Sequence, residues 1–246
     1  RRAKDYGIDT GDVSVDIAAV RQRKRDIVQS WQEGSRQSLE STENLDLLMG
    51  EAASTGLRTL AVRPTETPGS EAGTFMIKAD RVFINTGCRP AIPILPGLDQ
   101  VPYLDSTTIM ELGEAPRHLL ILGGGYVAVE FAQMFRRFGS QVTLVQRRPT
   151  LLPREDSDVA EALAAILRED GVDLVLEAEA LSAARNASGD VELQLKTPSG
   201  ANSLRGSHLL VATGRVPNTE ALNLEATGLE ADARGYIPVN GGGAPR

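Results

Sequence analysis

His118-Leu119-Leu120-Ile121-Leu122-Gly123-Gly124-Gly125-Tyr126-Val127-Ala128 is the stretch on which the fold turns. Its apolar first part reads as a buried strand, and the pattern from Tyr126 to Phe138 reads as a helix that stops at Gly139. Gln141 to Gln146 supplies the next strand, which completes a βαβ unit. The glycines match GxGxxG/A where that pattern has a mechanism, between a strand and the helix it feeds. Gly123 permits the tight turn, Gly125 lets the backbone approach a pyrophosphate, and Ala128 lets helix pack closely on strand. The helix start, with Gly124, Tyr126 and Val127, presents unpaired N–H groups and the positive end of its dipole to phosphate. A flexible turn that binds nothing is the bland alternative, and the surrounding strand, helix and strand argue against it. The unit is therefore expected to grip a nicotinamide dinucleotide.

The end of the second strand bears on the choice of dinucleotide. In NAD binders an acidic residue about twenty positions beyond the glycines accepts hydrogen bonds from the adenosine ribose. Here Gln146 holds that place, followed by Arg147 and Arg148. A neutral amide does not repel a 2′-phosphate and a guanidinium can pair with it bidentately, so NADP(H) is preferred over NAD(H). The competing reading leaves both arginines simply exposed after a strand.

Outward from this unit, Asp156 or Ser157 can cap a helix from Val159 to Glu169, with Val159, Leu163, Ile166 and Leu167 on one face. Val172 to Leu176, Val191 to Lys196 and Leu209 to Thr213 read as further strands. Upstream, Pro90, Pro93 and Pro96 forbid helix and mark an extended connection between domains. Before it, residues 15 to 42 read as one long helix with Ile17, Val20, Ile27, Trp31 and Leu39 near one stripe and Gly34 weakening its middle. A meander of short strands follows, at Leu45 to Met49, Thr59 to Val62, Thr74 to Ile77 and Arg81 to Asn85.

With 246 residues, two modest domains are expected. A net charge of -7 argues against general nucleic-acid binding, which needs a basic surface. The one basic cluster, Arg21, Arg23, Lys24 and Arg25, reads as a solvated helix face. Cys88 is the single cysteine, so no internal disulfide or cysteine-rich zinc site can form. His118 and His208 are the only histidines, and no metal site is expected. No apolar run approaches the roughly twenty residues of a membrane span, and the N-terminus lacks the apolar stretch of a secretion signal. A cytoplasmic protein with small-molecule partners, without nucleic acid or membrane, is the expectation.

Leu122 to Ala132, reading LGGGYVAVEFA, resembles the nicotinamide-binding motif of the flavoprotein disulfide reductases, the pyridine nucleotide-disulfide oxidoreductases. Asn85-Thr86-Gly87-Cys88-Arg89-Pro90 and Val211-Ala212-Thr213-Gly214-Arg215-Val216-Pro217-Asn218-Thr219 are similar to the paired TG motifs of that family. Leu151-Leu152-Pro153-Arg154-Glu155-Asp156 resembles its mercuric-reductase-like members, beside dihydrolipoamide-dehydrogenase-like ones. The resemblance implies an α/β fold in which a Rossmann-like nicotinamide-binding domain is joined to a partial FAD-binding domain with a long helix and strand meander. Residues 1–105 would be the rear of the first FAD segment with its linker, 106–235 the NAD(P) domain, and 236–246 the start of a second FAD segment. It further implies that Tyr126 gates the nicotinamide pocket and Glu130 pairs with a lysine beside the isoalloxazine ring. Ala180 and Gly214 would lie along the nicotinamide nucleotide, and Thr86 and Gly87 near FAD. Independently of the resemblance, Glu130 stands on an otherwise apolar helix face, where burying a carboxylate without a partner is costly.

In such an enzyme hydride passes from NADPH to FAD and on to a disulfide. This sequence lacks the family's first FAD-binding βαβ unit, its CxxxxC redox helix, the lysine facing Glu130, the Ala-Gly-Asp flavin motif and the dimerisation domain. Gly241-Gly242-Gly243-Ala244-Pro245-Arg246 stands where that motif is expected. The expectation is a fragment whose catalytic residues lie elsewhere, inactive alone, from an FAD-dependent enzyme that dimerises when complete. The alternative is a nucleotide-binding module without catalysis. Cys88 is read as structural, since nothing nearby in sequence would lower its pKa.

Overall fold

In chain order the computed structural model, which describes residues 3–11, 13–65, 73–241 and 243, has a short 3-10 turn at Ala3–Tyr6 and then α1 (Ile17–Glu40). Then follow β1 (Gly50–Gly56), β2 (Thr59–Pro64), β3 (Phe75–Lys78), β4 (Cys88–Pro90) and β5 (Tyr103–Leu104). The central run is β6 (His118–Leu122), α2 (Tyr126–Arg137), β7 (Gln141–Val145), α3 (Ser157–Glu169) and β8 (Asp173–Val175). The last strands are β9 (Glu179–Arg185), β10 (Val191–Thr197), β11 (Gly200–Gly206), β12 (His208–Val211) and β13 (Arg215–Pro217). Two units result: Arg1–Val28 with Pro90–Gly214, and Gln29–Arg89 with Arg215–Arg246.

The first unit is built on a parallel sheet of order β5-β12-β6-β7-β8. Parallel strands need crossovers that cover both faces, which is why β6 reads His-Leu-Leu-Ile-Leu without alternation. Leu119 and Ile121 point to one side, where they pack with Ala128, Ala132 and Phe135 of α2 and with Ala164 and Leu167 of α3. Leu120 and Leu122 point to the other side, among Leu193 and Leu195 of β10 and Ala183 of β9. That second cover is an antiparallel sheet, β11-β10-β9, so the crossover from β8 to β12 runs through a meander instead of a helix. Leu120, Ile121, Leu193 and Leu195 have no exposed surface, and truncating any of them to alanine should cost about 2–5 kcal/mol.

Both helices of this unit form where expected, but α3 buries Ala160, Ala164 and Leu167 while Val159 and Ile166 stay about half exposed. The small residues face the sheet because they allow the helix to approach it closely. The basic cluster is likewise not a freely solvated face. Arg21 donates to the Glu111 carbonyl at 3.1 Å, and Lys24 and Arg25 both pair with the Glu111 carboxylate. Those cations, Lys24 foremost, hold the Glu111 carboxyl below its usual range.

In the second unit β1, β2 and β3 form an antiparallel sheet in that order. Asn223 adopts a left-handed backbone, φ 51°, and its amide donates to the Ser54 carbonyl at 2.7 Å, fixing the chain after β13 on β1. Two expected strands do not form: Leu45 to Met49 and Arg81 to Asn85 are outside any strand. The strand falls instead on Gly50–Gly56, whose residues have modest β propensity but a complementary backbone in Thr59–Pro64. Propensity without a ladder partner is not enough to make a strand. The long helix α1 forms, yet none of its described residues is buried, and Trp31 is 73% exposed.

Candidate functional site

The turn from β6 to α2 meets the ends of β7 and β12 at the carboxyl edge of the parallel sheet. Gly123 has φ 124°, and a Cβ there would lie 2.3 Å from the Ala212 carbonyl oxygen at the end of β12. Two independent demands, conformation and space, thus require glycine. At Gly124 a Cβ would meet the Gln146 side chain at 2.7 Å. Gly125 differs: its backbone is extended, φ -85° and ψ -176°, and a Cβ would find nothing within 4 Å. Folding does not require glycine there, and the open space is where a ligand backbone could come close.

Gly125 is also the N-cap of α2, and no side chain caps the helix. Among the described residues no cap side chain meets the first-turn N–H groups, and the positive end of the dipole faces the carboxyl edge. Ala128, with no exposed surface, packs α2 on the sheet as expected. Tyr126 stands 58% exposed, and its hydroxyl donates to the Glu155 carboxylate, which pushes the phenol above its usual range. Val127 is half-buried. Glu130, one turn after Tyr126, is exposed. The apolar burial expected for it is absent because the face of α2 that packs on the sheet carries Ala128, Val129, Ala132 and Phe135 instead.

Gln146 is 8% exposed, and its amide nitrogen donates to the Thr150 carbonyl at 3.2 Å. Its side chain supports the glycine turn from below. The free charge at this edge belongs to Arg147 and Arg148, both exposed and without an ion pair among the described residues. The chain leaving β8 returns to the same place: the Ala178 amide donates to the Gln146 carbonyl at 3.0 Å and that of Glu177 to Arg148 at 3.2 Å. Ala180 follows on β9, half-buried and paired with Leu195. Gly214, φ 151°, accepts from the Ala91 amide at 3.0 Å. The structure therefore gathers Gly123, Gly124, Gly125, Tyr126, Gln146, Arg147 and Arg148 on one edge of the first unit.

Thr86 and Gly87 belong to the second unit. The Asn218 side chain donates to the Thr86 carbonyl at 3.0 Å, and the Asn218 backbone amide to the Gly87 carbonyl at 3.0 Å. Gly87 has φ 67°, a left-handed turn that glycine adopts without strain. Arg89 pairs with Glu220 at 2.6 Å and draws the Glu220 carboxyl down to about 2. Arg215 Nε donates to Cys88 Sγ at 2.9 Å, so the single cysteine is engaged within its own ribbon.

Glu155 lies in the stretch Leu151 to Asp156 that carried the resemblance, but the sequence offered no role for it at the site. Its partner Tyr126 lies 29 positions away, and only folding brings them together. Leu152 also belongs to the stretch that carried the resemblance without a role of its own; its φ of 43° and 8% exposure show a strained, buried residue that holds the segment after β7 in place. Among the described residues, no group of His, Cys, Asp and Glu could hold a metal, and no helix is long and apolar enough to cross a membrane.

This mixed α/β architecture is that of the flavoprotein disulfide reductases. The HOCl-induced flavoprotein disulfide reductase RclA from Escherichia coli matches it with a TM-score of 0.79 and 35% identity, over 92% of this chain and 49% of that one. Residues 13–245 match the model of the pyridine nucleotide-disulphide oxidoreductase family, and the chain belongs to that family. The probable pyridine nucleotide-disulfide oxidoreductase RclA of Escherichia coli (strain K12) is 37% identical over 226 residues, 92% of this chain and 49% of that protein. A mercuric reductase of Streptomyces lividans is 41% identical over 186 residues, 75% of this chain and 39% of that protein. The chain thus spans about half the length of these relatives or less.

Proposed function

We propose that this chain is the nicotinamide-nucleotide-binding part of an FAD-dependent oxidoreductase, taking NADP(H) in preference to NAD(H). The observation that carries the reading is the open space at Gly125 on an uncapped α2 N-terminus, with Arg147 and Arg148 exposed at the same edge. An uncapped helix start without a Cβ in front of it suits a pyrophosphate, and unpaired guanidinium groups suit a 2′-phosphate. Gly123, Gly124, Gly125, Val127 and Ala128 would hold the pyrophosphate turn. Ala180 and Gly214 would flank the nicotinamide half, and Tyr126 would stand at its entrance. In the complete enzyme the dinucleotide supplies hydride to FAD, and this chain's residues bind and orient it.

Thr86 and Gly87 are assigned to the flavin side, on a turn pinned by Asn218. Glu130, exposed one helical turn beyond Tyr126, is available to a cationic partner. We assign residues 1–105 and 236–246 to the FAD domain, 106–235 to the nicotinamide domain, and a cytoplasmic homodimer to the complete enzyme. One observation favours a second reading, a nucleotide-binding module without catalysis: Cys88 is the single cysteine, so this chain cannot close a redox disulfide within itself. The test is titration of the purified chain with NADPH and NADH while following flavin absorbance. Tighter binding of NADPH with bleaching of a flavin band supports the oxidoreductase reading. Binding without any flavin supports the module, and tighter binding of NADH overturns the cofactor preference.

A further inference from the structure

The segment after β7 runs beside the start of α2 and is tied to its surroundings at three points, all within the first unit. The Gln146 amide donates to the Thr150 carbonyl at 3.2 Å, the Leu152 N–H donates to the Gly124 carbonyl at 2.9 Å, and the Tyr126 hydroxyl donates to the Glu155 carboxylate. Buried Leu152, in its left-handed conformation, fixes the path, and the Glu155 N–H closes a turn on the Leu152 carbonyl at 2.9 Å. Residues 152–155 therefore lie alongside residues 124–126, with the open Gly125 between the ties at Gly124 and Tyr126. The consequence is electrostatic: the segment that flanks the uncapped helix start carries a carboxylate, held there by the side chain of the first residue of α2. An arriving pyrophosphate would meet that negative charge on its way to the positive helix end.

We propose that Glu155 is a latch on dinucleotide entry: in the free chain it holds the Tyr126 ring against the 152–155 segment, and an arriving pyrophosphate repels it and releases the phenol. The inference rests on the dinucleotide reading of the glycine turn. Glu155 is here a positioning residue that acts through Tyr126. Its neighbour Arg154 also acts on the Tyr126 phenol, in the opposite sense to Glu155, and so offsets part of the carboxylate's charge. Breaking the latch costs little in folding because both its partners are exposed. It does impose a charge penalty on every ligand that brings phosphate to α2.

Isothermal titration of the full chain with NADPH and, separately, with adenosine 2′-monophosphate tests this in wild type, Glu155→Gln and Glu155→Asp. Glutamine keeps an acceptor for the phenol and removes the charge. Removing one unit charge that faces a pyrophosphate through water predicts that Glu155→Gln binds NADPH roughly three- to tenfold more tightly. The gain should shrink as salt is raised. Adenosine 2′-monophosphate, which has no pyrophosphate, should bind both alike, and Glu155→Asp should keep wild-type affinity for NADPH. Unchanged NADPH affinity in Glu155→Gln, or equal tightening of both ligands, overturns the latch and leaves the nucleotide site standing. A wild-type chain that binds no NADPH overturns both.

Discussion

Replacing Gly123 and Gly125 separately by alanine should produce opposite failures, although the two residues are neighbours in one turn. At position 123 the added methyl would lie 2.3 Å from the Ala212 carbonyl oxygen, a backbone atom that cannot swing away, in a residue with φ 124°. The conformation costs about 1–3 kcal/mol and forcing the turn away from β12 about 1–3 kcal/mol more. Together they predict a loss of about 2–6 kcal/mol, which at roughly 2–4 °C per kcal/mol lowers the melting temperature by about 4–24 °C. At position 125 the methyl meets nothing within 4 Å and φ is -85°, so the melting temperature should move little. NADPH affinity should nevertheless fall at least tenfold, about 1.4 kcal/mol, because the methyl occupies the approach to the helix start. Thermal unfolding by circular dichroism and calorimetric titration on the same samples separate the two effects. The reasoning is refuted if Gly123→Ala melts with wild type, or if Gly125→Ala binds NADPH as tightly as wild type does.

Arg147→Glu and Arg148→Glu should each weaken NADPH binding by about 10- to 100-fold, the worth of a charge-assisted contact, while NADH affinity changes far less; titration with both cofactors reads this directly. Asp170, whose side chain is 1% exposed, accepts from Gln133 at 2.8 Å and pairs with Arg137 at 3.3 Å. Asp170→Ala should cost about 2–4 kcal/mol by leaving those donors short of an acceptor, as measured by urea denaturation. Glu220 is drawn down to about 2 in the fold from an ordinary 4.5, by the Arg89 side chain first and by backbone N–H groups, so its contribution is complete above 4.5 and lost as pH falls towards 2. Arg89→Met should flatten the dependence of stability on pH in that window. Burial lowers the pKa of both His118 and His208, so the unfolded chain takes up protons first and stability should fall as pH drops below 6.5. The double variant His118→Gln, His208→Gln should lose that slope in melts between pH 7 and 5.

The βαβ unit was legible because its signals are local. An apolar run, a glycine turn and a helix stop at Gly139 each specify backbone within a few residues, and together they leave little choice. Strands whose existence depends on a partner were less legible. Leu45 to Met49 and Arg81 to Asn85 carry strand-like residues but lie outside any strand, whereas Gly50–Gly56 pairs despite weak propensity. Helix faces misled in the same way, since Ala160 and Ala164 of α3 face the sheet where Val159 and Ile166 were expected. The Glu130 environment was misjudged for the same reason.

From residue order alone come the placement of the glycines between strand and helix, the neutral Gln146 followed by two arginines, and the two TG stretches. These are properties of neighbours along the chain, enforced by backbone sterics and hydrogen bonding over short range. Folding in three dimensions decided the rest. It set Gly123 against Ala212 and left Gly125 open, turned Gln146 into a support for the turn, and brought Glu155 to Tyr126 across 29 residues. Contacts of that kind depend on how layers pack and where loops close, and no local pattern encodes them.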